Sequence, residues 1–264
     1  MGKTIGVISL KGGVGKTSTV VSLGDALAGF GKKVLLVDGN FSSPNLGLHL
    51  NIIEPEKTIH HVLERKANPS EAVYEHGNFD VMPASVFGDF NISPLKLKDK
   101  LGYLKRKYDI ILLDSSPALN DETLAVMLAS DDILVVTTPD LPTLSATLKA
   151  VKLAKQRGTP IVGLVMNKVY GKDFELSPSE VEDTARVPIM ASIPYDVNVL
   201  KALAQFSPYS SHKPRSTGSD EYKRLAASLI GEKYKPLKLR RFFRVINPKK
   251  QDINRTIYYK EMFG

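Results

Sequence analysis

Two lysines, Lys11 and Lys16, bracket three glycines in the run KGGVGKTS, residues 11–18. Gly12, Gly13 and Gly15 free the backbone to turn its N–H groups inward, with that of Val14, around an anion. A helix opening at Thr17 and Ser18 adds the partial positive charge of its N-terminus. Lys16 reaches the β- and γ-phosphates of a nucleotide in such a loop, and the Thr17 hydroxyl is a ligand for Mg2+. The chemistry is phosphate binding. The usual G-x-x-x-x-G-K-[ST] spacing would place its first glycine at residue 10, which is Leu10, so the loop departs from that pattern and carries an additional cation, Lys11.

Two carboxylates stand at the ends of apolar runs, Asp38 after VLLV and Asp114 after IILL. A charge there is costly unless something binds it. In open α/β sheets the carboxyl ends of parallel strands are where ligands sit. Asn40 follows Asp38 by two positions. It takes up no proton but can orient a water by hydrogen bonding.

The elements that position these residues follow from hydrophobic pattern. The runs TIGVISL (4–10), KVLLVD (33–38), DIILLD (109–114), DILVVTT (132–138) and PIVGLVMN (160–167) are nearly continuous apolar stretches. They fit strands covered on both faces of a parallel sheet. TSTVVSLGDALAGF (17–30) and PTLSATLKAVKLAKQRG (142–158) carry helical periodicity between them. The alternation predicts a doubly wound, mostly parallel α/β sheet with helices on both faces. Residues 51–108 are less regular: KTIHHVLER and PLKLKDKLGYLKRK read as helices around a short strand, NFDVMPA, with His60 and His61 as packed or solvated side chains. Residues 207–222 read as a loop, and SDEYKRLAASLIG (219–231) as a closing helix with Ser219 as N-cap and Tyr222 at its third position.

Composition narrows the function. The chain has 264 residues and no cysteine, which excludes disulfides and thiolate-held metals or clusters. The net charge of +8 comes from residues 233–250, which hold eight basic side chains and no acid. The expected organisation is therefore a nucleotide-binding domain over 1–231 and a basic extension over 232–264. Within the extension, LKLRRFFRVI (237–246) places Leu239, Phe242, Phe243 and Ile246 on one helical face and cations on the other. Three roles remain open for it: lying in an anionic membrane interface, docking on the body or a partner protein, or binding nucleic acid. With no signal-peptide pattern and no spanning run, the expected location is the cytoplasm, peripheral at the membrane if the tail takes the first of these roles.

KGGVGKT, with its early lysine, resembles the deviant Walker A loop of the MinD/ParA ATPases, and the archaeal MinD-like branch in particular. VLLVDGNFSSPNLGLHL (34–50), DIILLDSSPALNDETL (109–124), VVTTPDLPTL (135–144), VMNKV (165–169) and SIPYDVNVLKAL (192–203) resemble the later motifs in order. The resemblance implies a P-loop NTPase fold of the SIMIBI type, ATP and Mg2+ as cofactors, and an ATP-dependent homodimer. Lys11 matches the signature lysine that reaches the partner's phosphates. Asp38 and Asp114 match acids that organise the metal and its waters. Asn167 and Lys168 match a pair that reads adenine, with Pro194 and Asp196 on the other side of the base. Asn40 stands where the family usually has an acid that helps position the attacking water, so slow hydrolysis is expected. Ala118 stands where a glycine is frequent. The implied activity is an ATP-driven switch that positions or partitions cellular components. A nucleotide-locked scaffold with little turnover and a DNA-binding partition ATPase are the alternatives. A phosphoryl-transfer enzyme would need an acceptor pocket and a base, for which the sequence offers no candidate.

Overall fold

A computed structural model describes residues 2–234 and 248–264. Eight strands form one sheet: β1 (Lys3–Ile8), β2 (Val34–Gly39), β3 (Tyr74–His76), β4 (Phe79–Met82), β5 (Ile110–Ser115), β6 (Asp132–Thr137), β7 (Ile161–Val169) and β8 (Ile189–Pro194). Their order is β3-β4-β2-β5-β1-β6-β7-β8. All neighbours are parallel except β3 and β4, which form an antiparallel hairpin at one edge. The five apolar runs are strands β1, β2, β5, β6 and β7, as the pattern predicts.

Alternate strand residues enter two cores. Val34, Leu36, Ile110 and Leu112 face one side, with Leu23 and Leu27 from α1 (Lys16–Ala28) and Leu225 and Leu229 from α10 (Thr217–Leu229). Leu35, Val37, Ile111 and Leu113 face the other. There they meet α3 (Ile59–Leu63), α4 (Leu97–Leu101), α5 (Asp121–Ala129), α6 (Leu141–Gln156) and α7 (Pro178–Ala185). Both faces are thus covered. Short helices α2 (Leu46–His49), α8 (Asn198–Ala204) and α9 (Tyr209–His212) lie in the connections.

Several expectations are corrected. The last body helix begins three residues earlier than its pattern suggests: Ser216, not Ser219, is the N-cap and accepts from the Ser219 amide at 3.1 Å. Ser219 is buried in the first turn, its hydroxyl donating to the Lys213 carbonyl at 2.7 Å. Tyr222 is buried with its phenol 3.3 Å from the Thr19 hydroxyl. The polar stretch before this helix is not all loop, because α9 forms within it. The helix expected over residues 94–107 is broken into a 3-10 turn, α4 and a second 3-10 turn.

The expected amphipathic stretch 237–246 lies outside the described residues. The chain after it forms α11 (Lys250–Phe263), which packs on β8 and α10. Arg255 donates to Glu221 at 3.0 Å, to the Met190 carbonyl at 2.9 Å and to Asp252 at 2.6 Å. Asn254 donates to the Ile189 carbonyl at 2.8 Å and to Glu182 at 2.6 Å. Its buried side is polar, so it docks through charge-assisted hydrogen bonds more than through a greasy stripe.

Candidate nucleotide site

The loop between β1 and α1 rises from the centre of the sheet. Gly13 and Gly15 have φ of +78° and +87°, the left-handed region that glycine tolerates best. A side-chain carbon on Gly15 would also collide with the Asn167 amide. Gly15 caps α1, leaving the helix's first N–H groups turned toward the loop.

Lys16 and Thr17 open α1 and both meet Asp114 at the end of β5. The Lys16 ammonium lies 3.0 Å from one Asp114 oxygen, and the Thr17 hydroxyl donates to the other at 2.6 Å. Asp114 and Lys16 are buried. Asp38 is paired with Asp114 across β2 and β5, and is also buried. Burial, then the neighbouring Asp114 charge, pushes the Asp38 carboxyl well above the ordinary carboxylate range. Asp38 accepts from the amides of Asn40, Asn45 and Leu46, each at 3.0 Å. Its first task is therefore to shape the 40–46 loop.

Two buried acids on adjacent strands, with a threonine hydroxyl on one of them, suit a divalent cation whose remaining ligands are phosphate and water. Thr17, Asp114 and Asp38 are the residues that fit it.

One cavity of about 460 Å³ runs from the glycine loop to the β7 and β8 ends. Residues 11–18, Asn40, Asn167, Lys168, Pro194 and Asp196 all line it. Asp38 and Asp114 are not among the lining residues; Asp114 meets the lining through Lys16 and Thr17, and Asp38 through the Asn40 amide. Asn167 donates to the Val14 carbonyl at 2.8 Å, and Lys168 to the Gly13 carbonyl at 2.6 Å, so both brace the loop. Asp196 accepts from the Asn198 amide at 2.9 Å and from the Tyr209 phenol at 2.7 Å, which fixes the turn into α8. Asn40 is buried and donates its side-chain N–H to the Ser43 carbonyl, while its Oδ1 has no partner among the described residues.

Lys11 points elsewhere. Its ammonium lies 2.8 Å from the Thr143 hydroxyl and 3.3 Å from Asp140, at the start of α6. It sits on the rim shared with a second cavity of about 320 Å³, and its side chain is 40% exposed. Asp140 caps α6 by accepting from the Thr143 amide at 2.9 Å. Sequence reasoning missed Asp140 and Thr143 as partners of Lys11. The only signal was an Asp three residues before a Thr at a helix start, which reads as a cap. It also missed Tyr195, Val199 and Leu200, which form the apolar wall at the far end of the cavity.

A family profile described as an AAA domain matches residues 2–160, and one described as a NUBPL iron-transfer P-loop NTPase matches residues 101–230. An uncharacterised ATP-binding protein of Methanocaldococcus jannaschii is 33% identical over 237 residues, 89% of this chain and 90% of that protein. The crystal structure of the Pyrococcus furiosus cell division ATPase MinD is 34% identical, with a TM-score of 0.82 over 87% of this chain and 99% of that one. The septum site-determining protein MinD of Pyrococcus horikoshii, solved with Mg-ADP, is 31% identical, with a TM-score of 0.81 over 87% of this chain and 96% of that one. The glycine loop with its two lysines, the eight-stranded sheet and these likenesses agree: the chain belongs to the MinD/ParA family of P-loop ATPases, on its archaeal MinD-like side.

Proposed function

We propose that the chain is a Mg2+-dependent ATPase that works as an ATP-driven dimerisation switch. The observation that carries this reading is the place of Lys11. A lysine serving its own subunit's phosphates would turn inward beside the loop, as Lys16 does toward Asp114. Lys11 instead lies half-exposed on the rim, held by Asp140 and Thr143. From there it is available to the phosphates of a second copy facing it across the cavity mouths.

In this reading the backbone amides of residues 12–18, with Lys16, bind the phosphates. Thr17, Asp114 and Asp38 hold Mg2+, which when bound neutralises charge on the β- and γ-phosphates. The adenine lies between Asn167 and Lys168 on one side and Pro194 and Asp196 on the other. The free Oδ1 of Asn40 accepts a hydrogen bond from the attacking water. An amide is a poorer proton acceptor than a carboxylate, so turnover is slow, and Asn40→Asp should speed it. The ATP-bound pair then engages a membrane, a nucleoid or a partner protein, and hydrolysis releases it. No helix among the described residues is long and apolar enough to cross a membrane. Any attachment through 237–246 would be peripheral, and sedimentation with anionic liposomes and with DNA, each with and without ATP, separates those partners.

The deciding experiment is analytical ultracentrifugation with ATP and Mg2+. The native chain should pair only with ATP; Lys11→Ala should bind ATP and remain single; Lys16→Ala should not bind ATP. Undiminished pairing of Lys11→Ala sinks the reading. Asn40 supports one variant of it, a long-lived ATP-bound scaffold. Size-exclusion of the loaded pair over hours distinguishes the two, because a switch decays with turnover and a scaffold does not.

A further inference from the structure

Two buried polar oxygens on residues that hold the loop after β2 have no partner among the described residues: Asn40 Oδ1, on a residue that lines the cavity, and Glu122 Oε2. Leaving a buried acceptor unpaired is costly, so each such atom asks for an explanation. Both belong to groups that hold the same short loop. Asn40 donates to the Ser43 carbonyl. Glu122 Oε1 accepts from the Ser42 amide at 2.8 Å and also from the Ser42 hydroxyl.

Glu122 is in the first turn of α5, where an acid is ordinarily a solvated complement to the helix dipole. Asp121 beside it is exposed and fits that description. Glu122 is only 6% exposed and is spent on a loop 80 residues away in sequence. The next residue faces the other way. Thr123 donates to the Ser116 carbonyl at 3.0 Å and to the Ala118 carbonyl at 2.7 Å. One helical turn therefore ties the loop after β2, which carries Asn40, to the loop after β5, which begins at Ser116, two residues past Asp114.

We propose that Glu122 is a positioning residue for ATP hydrolysis: it latches Ser42 so that the 40–43 loop keeps Asn40 in the cavity wall. The carboxylate makes the bonds charge-assisted and correspondingly stronger than an amide would. With Asn in place of an acid at residue 40, the water is held by geometry more than by charge. A small displacement of the loop then removes most of what holds it. This inference rests on the ATPase reading above.

The test is steady-state ATP turnover, with ATP affinity measured separately by calorimetry, for the full chain and its Glu122→Ala, Glu122→Gln, Ser42→Ala and doubly substituted Ser42→Ala/Glu122→Ala forms. Glu122→Ala should lower kcat roughly tenfold or more with KM and ATP affinity little changed, since misplacing a reacting group by about an ångström carries a penalty of that order or larger. Glu122→Gln, which can still accept from Ser42, should recover part of the loss. Ser42→Ala should lower kcat less, because the Ser42 amide remains. The double form should match Glu122→Ala alone, as members of one unit do. The proposal is overturned if kcat of Glu122→Ala is unchanged, if the loss lies wholly in KM, or if the single losses multiply. If Glu122→Ala does not fold, Ser42→Ala decides, because its side chain is exposed: unchanged kcat there overturns the latch. A native chain that binds ATP but never turns it over overturns both this proposal and the ATPase reading, whereas native turnover with unaffected variants overturns this one alone.

Discussion

Replacing Asp140 by Asn should strengthen ATP-driven pairing of the chain. Asp140 holds the Lys11 ammonium at 3.3 Å, and the two side chains are 43% and 40% exposed. An exposed pair of this kind is worth about 0.2–1 kcal/mol. Each dimer needs two lysines released, so the pair as a whole recovers about 0.4–2 kcal/mol, or roughly 2- to 30-fold in the dimer dissociation constant. Asn keeps the cap of α6, since it still accepts from the Thr143 amide, so helix stability changes little. Asp140→Ala would confuse the test by removing the cap as well. Sedimentation equilibrium with ATP and Mg2+ at low salt measures the effect, and repeating it near 1 M salt, where the screening length is about 3 Å, should shrink the difference between native and variant. Weaker pairing in Asp140→Asn would refute the reasoning, because it would mean that Asp140 supports the paired form. So would a gain that salt does not touch.

Gly15→Ala should lose nucleotide binding by calorimetry and lower stability by about 1–2 kcal/mol from the left-handed backbone alone, with a further loss because the new carbon displaces Asn167 from the Val14 carbonyl. Arg255→Ala should cost about 3–5 kcal/mol in urea denaturation, since it takes a buried cation from Glu221, which is 1% exposed. His60 is held neutral by burial, which lowers its pKa below 6.5, and its Nδ1 accepts from the Ser85 amide at 3.0 Å. Its contribution is therefore complete above the unfolded value of 6.5 and lost as pH falls below it. The melting temperature should fall between pH 7 and pH 5, and His60→Gln should fall less.

What could be read in the chain beforehand follows from how each part buries itself. The central strands are covered on both faces, so Ile5 to Ile8 or Ile110 to Leu113 stand out as unbroken apolar runs. The glycine loop is legible because phosphate binding demands particular residues at adjacent positions. β3 is not, because Tyr74, Glu75 and His76 form a short edge strand of mixed polarity. Its only mark was the Gly77–Asn78 pair that turns it into β4. α11 escapes a search for apolar periodicity because the side chains it buries are Gln251, Asn254 and Arg255. The partners of Lys11 and of Ser42 lie 129–132 and 80 residues away, and only the strand order brings them together.

The Lys16 ammonium and an Asp114 oxygen lie 3.0 Å apart, so each of these two buried charges has its counter-ion in the pocket wall. Admitting a phosphate asks Lys16 to change partners and would leave Asp114 stranded under the loop. Admitting a cation alone would strand Lys16 instead. A guest that brings both signs, as a metal-bound triphosphate does, would let the pair part with each member rematched.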